Sequence, residues 1–193
     1  MDSFLKNFVG FDGRLNRQPF WLSLLLLIAA SVVLSLIVLP LIGLSVMPNF
    51  TELASQTTAD MTPEQIADFV TKTVNDATRI SGWVSLGLFV VLLYPSLAIG
   101  IKRRHDRNSS GLDLIIYYAL NFVASLITAF GLAYSTMTIP AGPDLPAMTI
   151  PVPSMLSLAV SGVLLVYGVY LFIVLGCLRG TVGENNYGPD PLG

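Results

Sequence analysis

The chain has one cysteine, Cys177, and few charged residues. A lone cysteine excludes an internal disulfide framework and any Cys-based metal cluster. Asp, Glu, Lys and Arg make up 11% of the residues, against about 25% in ordinary soluble domains, so a soluble fold is excluded as well. The formal net charge of -2 leaves no cationic surplus for nucleic acid, and no catalytic residue, cofactor or metal is assigned. Four long stretches, at about 20–47, 80–101, 112–139 and 154–178, lack ionisable side chains except Asp113, near the start of the third. An ion- or proton-coupled transporter needs such a group at membrane depth, because a central charge is costly and persists only for a function.

What the chain does have is apolar length. Each stretch reaches the ~20 residues that cross a ~30 Å hydrocarbon layer at 1.5 Å per residue, and the mean hydropathy is +0.72. The predicted fold is an all-α integral membrane protein of four transmembrane helices with one external amphipathic helix, forming a single membrane domain over 1–193. The first stretch is longer than the 7–15 residues of a secretory signal's apolar region and is expected to remain as an uncleaved span.

The cations predict the threading. Lys6, Arg14 and Arg17 precede the first span, Lys102, Arg103, Arg104 and Arg107 separate the second and third, and Arg179 follows the fourth. The alternate segments hold only Lys72 and Arg79, beside Glu52, Asp60, Glu64, Asp68, Asp76 and Asp144. By the positive-inside rule both termini, the loop 102–111 and the tail 179–193 are cytoplasmic, and the expected location is the bacterial inner membrane.

The external segment 48–79 contains a helix start. Thr62 caps, Pro63 suits the first helical position and Gln65 completes a capping box, while Ile66, Phe69, Val70, Thr73, Val74 and Ala77 form one stripe. This helix is expected to run into the second span. Between the third and fourth spans, Pro140, Pro143, Pro146, Pro151 and Pro153 predict an extended, polyproline-like loop without strands. Pro40 and Pro95 are expected to bend their helices. Ser125 with Ala129, and Ser157 with Ser161, give spacings that permit close helix approach. Asn121, Ser125 and Thr128 place a weak polar stripe on span three, read as interhelical hydrogen bonding. The same stripe would line any small-solute path.

The threading brings three polar segments to one rim. The first is Gly13-Arg14-Leu15-Asn16-Arg17-Gln18-Pro19-Phe20-Trp21. The second is Lys102-Arg103-Arg104-His105-Asp106-Arg107-Asn108-Ser109-Ser110-Gly111, and the third is Gly183-Glu184-Asn185-Asn186-Tyr187-Gly188-Pro189-Asp190-Pro191. In this order, with spans between them, they resemble the family known as domain of unknown function 805, YhaH-like small bacterial inner-membrane proteins. The resemblance covers nearly the whole chain and implies a multi-pass inner-membrane protein without implying an activity. The sequence departs from it at Arg107-Asn108-Ser109-Ser110-Gly111, where a Gly-Arg-Ser-Gly type ending is usual, and in the length of 48–79.

On physical grounds, Arg14, Arg17, Arg103, Arg104, His105, Asp106 and Arg107 are the candidates for binding anionic lipid headgroups or the acidic segment of a membrane partner. The turn-rich tail is expected to dock on the basic loop through Asn186, Tyr187 and Asp190, with Asp190 or Glu184 meeting arginines. The reading is a structural or interaction role. Its rivals are an enzyme acting on a lipid headgroup with His105 beside Asp106, and a small-solute transporter.

Overall fold

The computed structural model describes residues 2–56, 62–139 and 148–192. A short helix α1 (Asp2–Leu5) and a 3-10 turn (Lys6–Phe8) lead to α2 (Arg17–Gln56), α3 (Pro63–His105) and α4 (Leu112–Ala129). Strands β1 (Tyr134–Ile139) and β2 (Met148–Pro153) then pair, and α5 (Met155–Phe172) ends in a π-helical turn over Ile173–Cys177. Four segments are long and apolar enough to cross a membrane: Arg17–Pro40, Thr71–His105, Leu112–Ala129 and Met155–Cys177. Large apolar side chains stand exposed along them, among them Leu25, Val33, Leu36, Val91, Leu165 and Val166. Such a surface is unfavourable in water and is at home in lipid. The protein is a multi-pass membrane protein.

The chain divides into two compact units. Unit 1 comprises 1–34, 87–123 and 161–193 and holds the ends of all four spans that carry the basic segments. Its core is Leu15, Phe20, Ile99, Ile101, Leu114, Leu171 and Leu175. Glycines let its helices approach closely: a Cβ on Gly176 would lie 2.5 Å from the Trp21 ring, and one on Gly168 would lie 3.2 Å from the Tyr117 hydroxyl.

Unit 2 comprises 35–86 and 124–160. α3 begins at the anticipated capping box: the Thr62 backbone N–H donates to Gln65 Oε1 at 2.8 Å, and the Gln65 N–H donates to Thr62 Oγ1 at 3.4 Å. The amphipathic stretch that starts at Pro63 and the second span form one continuous helix. Thr73 is buried, Phe69, Val74 and Ala77 are half-buried, and Asp68, Lys72, Asp76 and Arg79 are exposed; the side chains of Ile66 and Val70 lie outside the described residues. A Cβ on Gly82 would sit 2.9 Å from the Ala129 Cα, so Ala129, half of one small-residue pair, marks a contact at backbone distance.

Three boundaries differ from expectation. α4 stops at Ala129 rather than near 139, because Gly131 takes a left-handed conformation (φ 76°). Its N–H donates to Thr128 O while Leu132 N–H donates to Ile127 O, the paired bonds of a Schellman ending. α3 continues to His105, so Lys102–His105 are helical rather than loop. It ends in the same way around Asn108 (φ 54°), with Asn108 N–H on His105 O and Ser109 N–H on Arg104 O. This left-handed site is where the sequence departs from the family's usual ending. Asn tolerates a conformation that Gly adopts freely.

The third difference is a correction: the proline-rich connection forms strands. β1 and β2 pair antiparallel, Tyr134 opposite Pro153 and Met137 opposite Ile150. In a two-stranded sheet both strands are edges, where prolines at alternate positions 151 and 153 both direct their missing donor away from the ladder. Thr149, Ile150 and Val152 favour the extended backbone. The segment 140–147, with Pro140, Pro143 and Pro146, lies outside the described residues.

Candidate functional site at the basic rim

The last carbonyls of a helix have no partner within it, and the wide π turn ending α5 leaves five that point toward other segments. Each receives a side-chain donor. Val174 O accepts from Arg107 Nη1 (3.3 Å), Leu175 O from Arg103 Nε (2.7 Å) and Gly176 O from Trp21 Nε1 (3.3 Å). Cys177 O accepts from Arg17 Nη1 (3.5 Å) and Leu178 O from Arg103 Nη2 (2.5 Å). An unsatisfied carbonyl costs several kcal/mol near hydrocarbon, roughly, so these donors stabilise the end of the fourth span. A second cap of this kind involves Lys102, whose ammonium donates to Lys6 O (2.6 Å), Asn7 O (3.3 Å) and Val9 O (2.9 Å).

Asp106 is the centre of the rim. One carboxylate oxygen accepts from Arg14 Nε (3.3 Å) and Nη2 (3.2 Å), and the other pairs with Arg103 Nη1. Arg103 is fully buried, and the Arg14 side chain is 2% exposed. The Asp106 backbone O accepts from both the N–H (2.8 Å) and the hydroxyl (3.0 Å) of Thr181. Gly180 lies against the carboxylate so closely that a Cβ would collide with it. Arg14 also reaches the tail, donating to Thr181 O (2.6 Å), Gly183 O (2.6 Å) and Gly188 O (3.2 Å).

The tail closes over His105. The Tyr187 ring stacks on the imidazole with centroids 3.9 Å apart, and Asn185 Nδ2 donates to His105 O at 2.9 Å. The Asn186 N–H meets Asn108 Oδ1 at 3.3 Å. His105 Nδ1 faces Gly13 O at 3.3 Å, so the three segments meet around this ring as well. Asp190 does not form an ion pair with an arginine. Its oxygens accept the backbone N–H groups of Leu192 (3.0 Å) and Gly183 (2.8 Å), and these bonds hold its carboxyl below the ordinary carboxylate value. Arg104 pairs with Asp113 (2.9 Å) at the start of α4, while its Nε is buried without a partner.

The structure therefore brings Arg14, Arg103, Asp106, His105, Tyr187 and Asn186 into one cluster, puts Arg107 and Arg17 on the α5 end, and sets Arg104 apart on Asp113. His105 and Asp106 face different partners: imidazole on Tyr187 and Gly13, carboxylate on two guanidinium groups. Gly180 and Thr181 are not singled out by the sequence, and Asn185 and Lys102 enter it only as members of the tail segment and the basic run. The signal available for the first two is an Arg-Gly-Thr run where the apolar stretch ends.

A family model described as a protein of unknown function (DUF805) matches residues 8–189. The chain belongs to the DUF805 family. No curated protein and no solved structure matches it. The three polar segments that carried the resemblance are, in this DUF805 protein, the ones that the Asp106 cluster joins.

Among the rim cations, Lys6, Arg17 and Arg179 stay exposed, the last two beside each other at one cavity. Arg17 uses one donor on Cys177 O, and Arg179 has no hydrogen bond or ion pair among the described residues. Together with Asn16, Gln18, Thr181 and Leu192 they line a polar cavity of about 200 Å³. Asp106 and Asp190 also border it, with their oxygens engaged as described.

Proposed function

We propose that the protein is a structural or interaction component of the bacterial inner membrane, with both termini cytoplasmic, and that its basic rim engages anionic lipid headgroups. The observation that supports this most is the division of labour among the rim cations. Lys102, Arg103 and Arg14 are buried in caps and ion pairs that fix the rim. Arg17 and Arg179 remain outward beside a polar cavity. A cation next to an anionic leaflet contributes about 1 kcal/mol of attraction. The orientation is supported by the placement of eight of the ten lysines and arginines on the segments that end the spans in unit 1. A headgroup-cleaving enzyme gains no support, since His105 and Asp106 do not face a common reactant, and neither does a solute transporter, since Asn121 Nδ2 and Thr128 Oγ1 donate within their own helix, to Tyr117 O and Ala124 O.

Native mass spectrometry of the purified protein with co-extracted lipid tests this reading, comparing wild type with an Arg17→Gln/Arg179→Gln variant. Retained anionic lipid that is lost in the variant is the expected result. Equal retention in both removes the lipid role, and co-purification of a protein instead identifies a membrane partner. For orientation, a membrane-impermeant maleimide applied to intact cells should label Thr62→Cys and spare Ser110→Cys, in a Cys177→Ser background.

A further inference from the structure

We infer that unit 1 holds a binding site for a single acyl chain of an anionic phospholipid, immediately inside Arg17. The inference rests on the headgroup reading above and extends it to the chain.

Beneath the rim is a cavity of about 310 Å³, within the ~300–1,000 Å³ range of ligand sites. Its wall on α2 is Phe20, Trp21, Leu24, Leu27, Ile28 and Ser31, the positions of one helical face at i, i+3, i+4 spacing. Arg17 lies one turn outward on that same face. From Phe20 to Ser31 the helix rises about 16 Å, about half of a ~30 Å hydrocarbon core, or the depth of one leaflet.

The remaining wall is mostly apolar, and its polar groups are the hydroxyls of Ser31, Ser96, Tyr117 and Tyr118. Ser31 Oγ donates to Ile28 O (2.7 Å), and Ser96 Oγ donates to Leu92 O (2.7 Å). Leu92, Ile99, Leu114, Leu171 and Leu175 are among its apolar residues. The cavity reaches the outer surface, because its borders Ile28 and Phe172 are 49% and 56% exposed. A surface-opening apolar cavity at membrane depth is filled by lipid, since leaving it void forfeits the dispersion contacts of its lining. Arg17 above it, with Arg179 across the polar cavity, selects a lipid with a negative headgroup. Water and a polar solute are disfavoured because the cavity offers only a few hydroxyls in an otherwise apolar wall.

Trp21 lines this cavity, whereas Trp83 belongs to unit 2 and is 45% exposed, so each tryptophan reports on a different environment. Trp83→Phe and Trp21→Phe variants are reconstituted into phosphatidylcholine vesicles carrying either phosphatidylglycerol or phosphatidylcholine with brominated chains at equal mole fraction. Bromine quenches indole on contact. Trp21 should be quenched selectively by the phosphatidylglycerol, with a preference of about fivefold per cation, or on the order of 25-fold for two. Trp83 should not discriminate. Arg17→Gln should lower the Trp21 preference about fivefold. Ser31→Phe, which obstructs the deep end of the cavity, should lower the Trp21 preference for phosphatidylglycerol while Trp83 quenching stays.

Equal quenching of Trp21 by both lipids, or none by either, overturns the chain site. If anionic lipid is nonetheless retained in native mass spectrometry and lost with Arg17→Gln/Arg179→Gln, the headgroup reading stands and only the cavity falls. If retention is absent too, both fall.

Discussion

Tyr187 lies flat on His105, with ring planes 7° apart and centroids at 3.9 Å. This contact joins the C-terminal tail to the end of α3 across 82 residues of chain. Stacked aromatic pairs contribute about 0.5–1.5 kcal/mol beyond buried area. Tyr187→Ala should lower the thermal midpoint in detergent by a few degrees and make the tail more sensitive to protease, while Tyr187→Phe should leave both nearly unchanged. An equal loss in the two variants would mean that the hydroxyl, not the ring, holds the tail.

Asp106 balances two guanidinium groups that have little or no exposure. Removing one partner of a buried pair costs about 3–5 kcal/mol because the other charge stays desolvated. Asp106→Asn should therefore sharply reduce the yield of monodisperse protein. Gly180→Ala should do the same without changing any charge, by displacing the carboxylate from the space the glycine leaves. Wild-type behaviour of Gly180→Ala in size-exclusion chromatography would contradict this close packing.

Asp190 gives a pH dependence whose sign is fixed by its two backbone hydrogen bonds. Its carboxyl is held below the ordinary value in the folded tail, so ionised Asp190 stabilises the fold. That contribution is fully present above the unfolded value and disappears as pH falls through the lower folded one. The thermal midpoint of wild type should exceed that of Asp190→Asn at pH 7, and the two should converge in strong acid. A constant gap across this range would assign the effect to something other than titration.

The capping box at the start of α3 is reciprocal, so its two halves should be coupled. Thr62→Ala should cost about 1 kcal/mol locally, read as faster amide exchange in the first turn of α3. The double variant with Gln65→Ala should lose less than the sum of the single losses.

The elements legible in the sequence are those set by local chemistry. The capping box at Thr62 and Gln65 was readable because both partners lie within one turn. The four spans were readable because membrane crossing sets a length. The end of α4 at Gly131 was also local, but the apolar residues beyond it, Leu132 and Ala133, masked the stop. The hairpin was misread because proline counts against a strand only where its missing N–H faces a partner, and that depends on register. The rim segments could be named from sequence. Their pairing could not, since Arg103 with Leu175 O or Lys102 with Val9 O joins residues separated by dozens of positions, and a carbonyl acceptor has no sequence signature. The same cations that predict orientation by their number turn out to be mostly structural caps by their geometry.

The π turn at Ile173–Cys177 acts as a phase shift in the last span. A π turn amounts to one extra residue inserted into an α-helix, and that residue turns the chain beyond it by about 100° relative to an unbroken helix. Deleting one residue between Ile173 and Cys177 would let the span close as ordinary α-helix without loss of apolar length. It would also carry Gly180 and Thr181 away from Asp106 and pull the Leu175 and Leu178 carbonyls away from Arg103. The membrane anchor would survive such a deletion, while the rim would come apart.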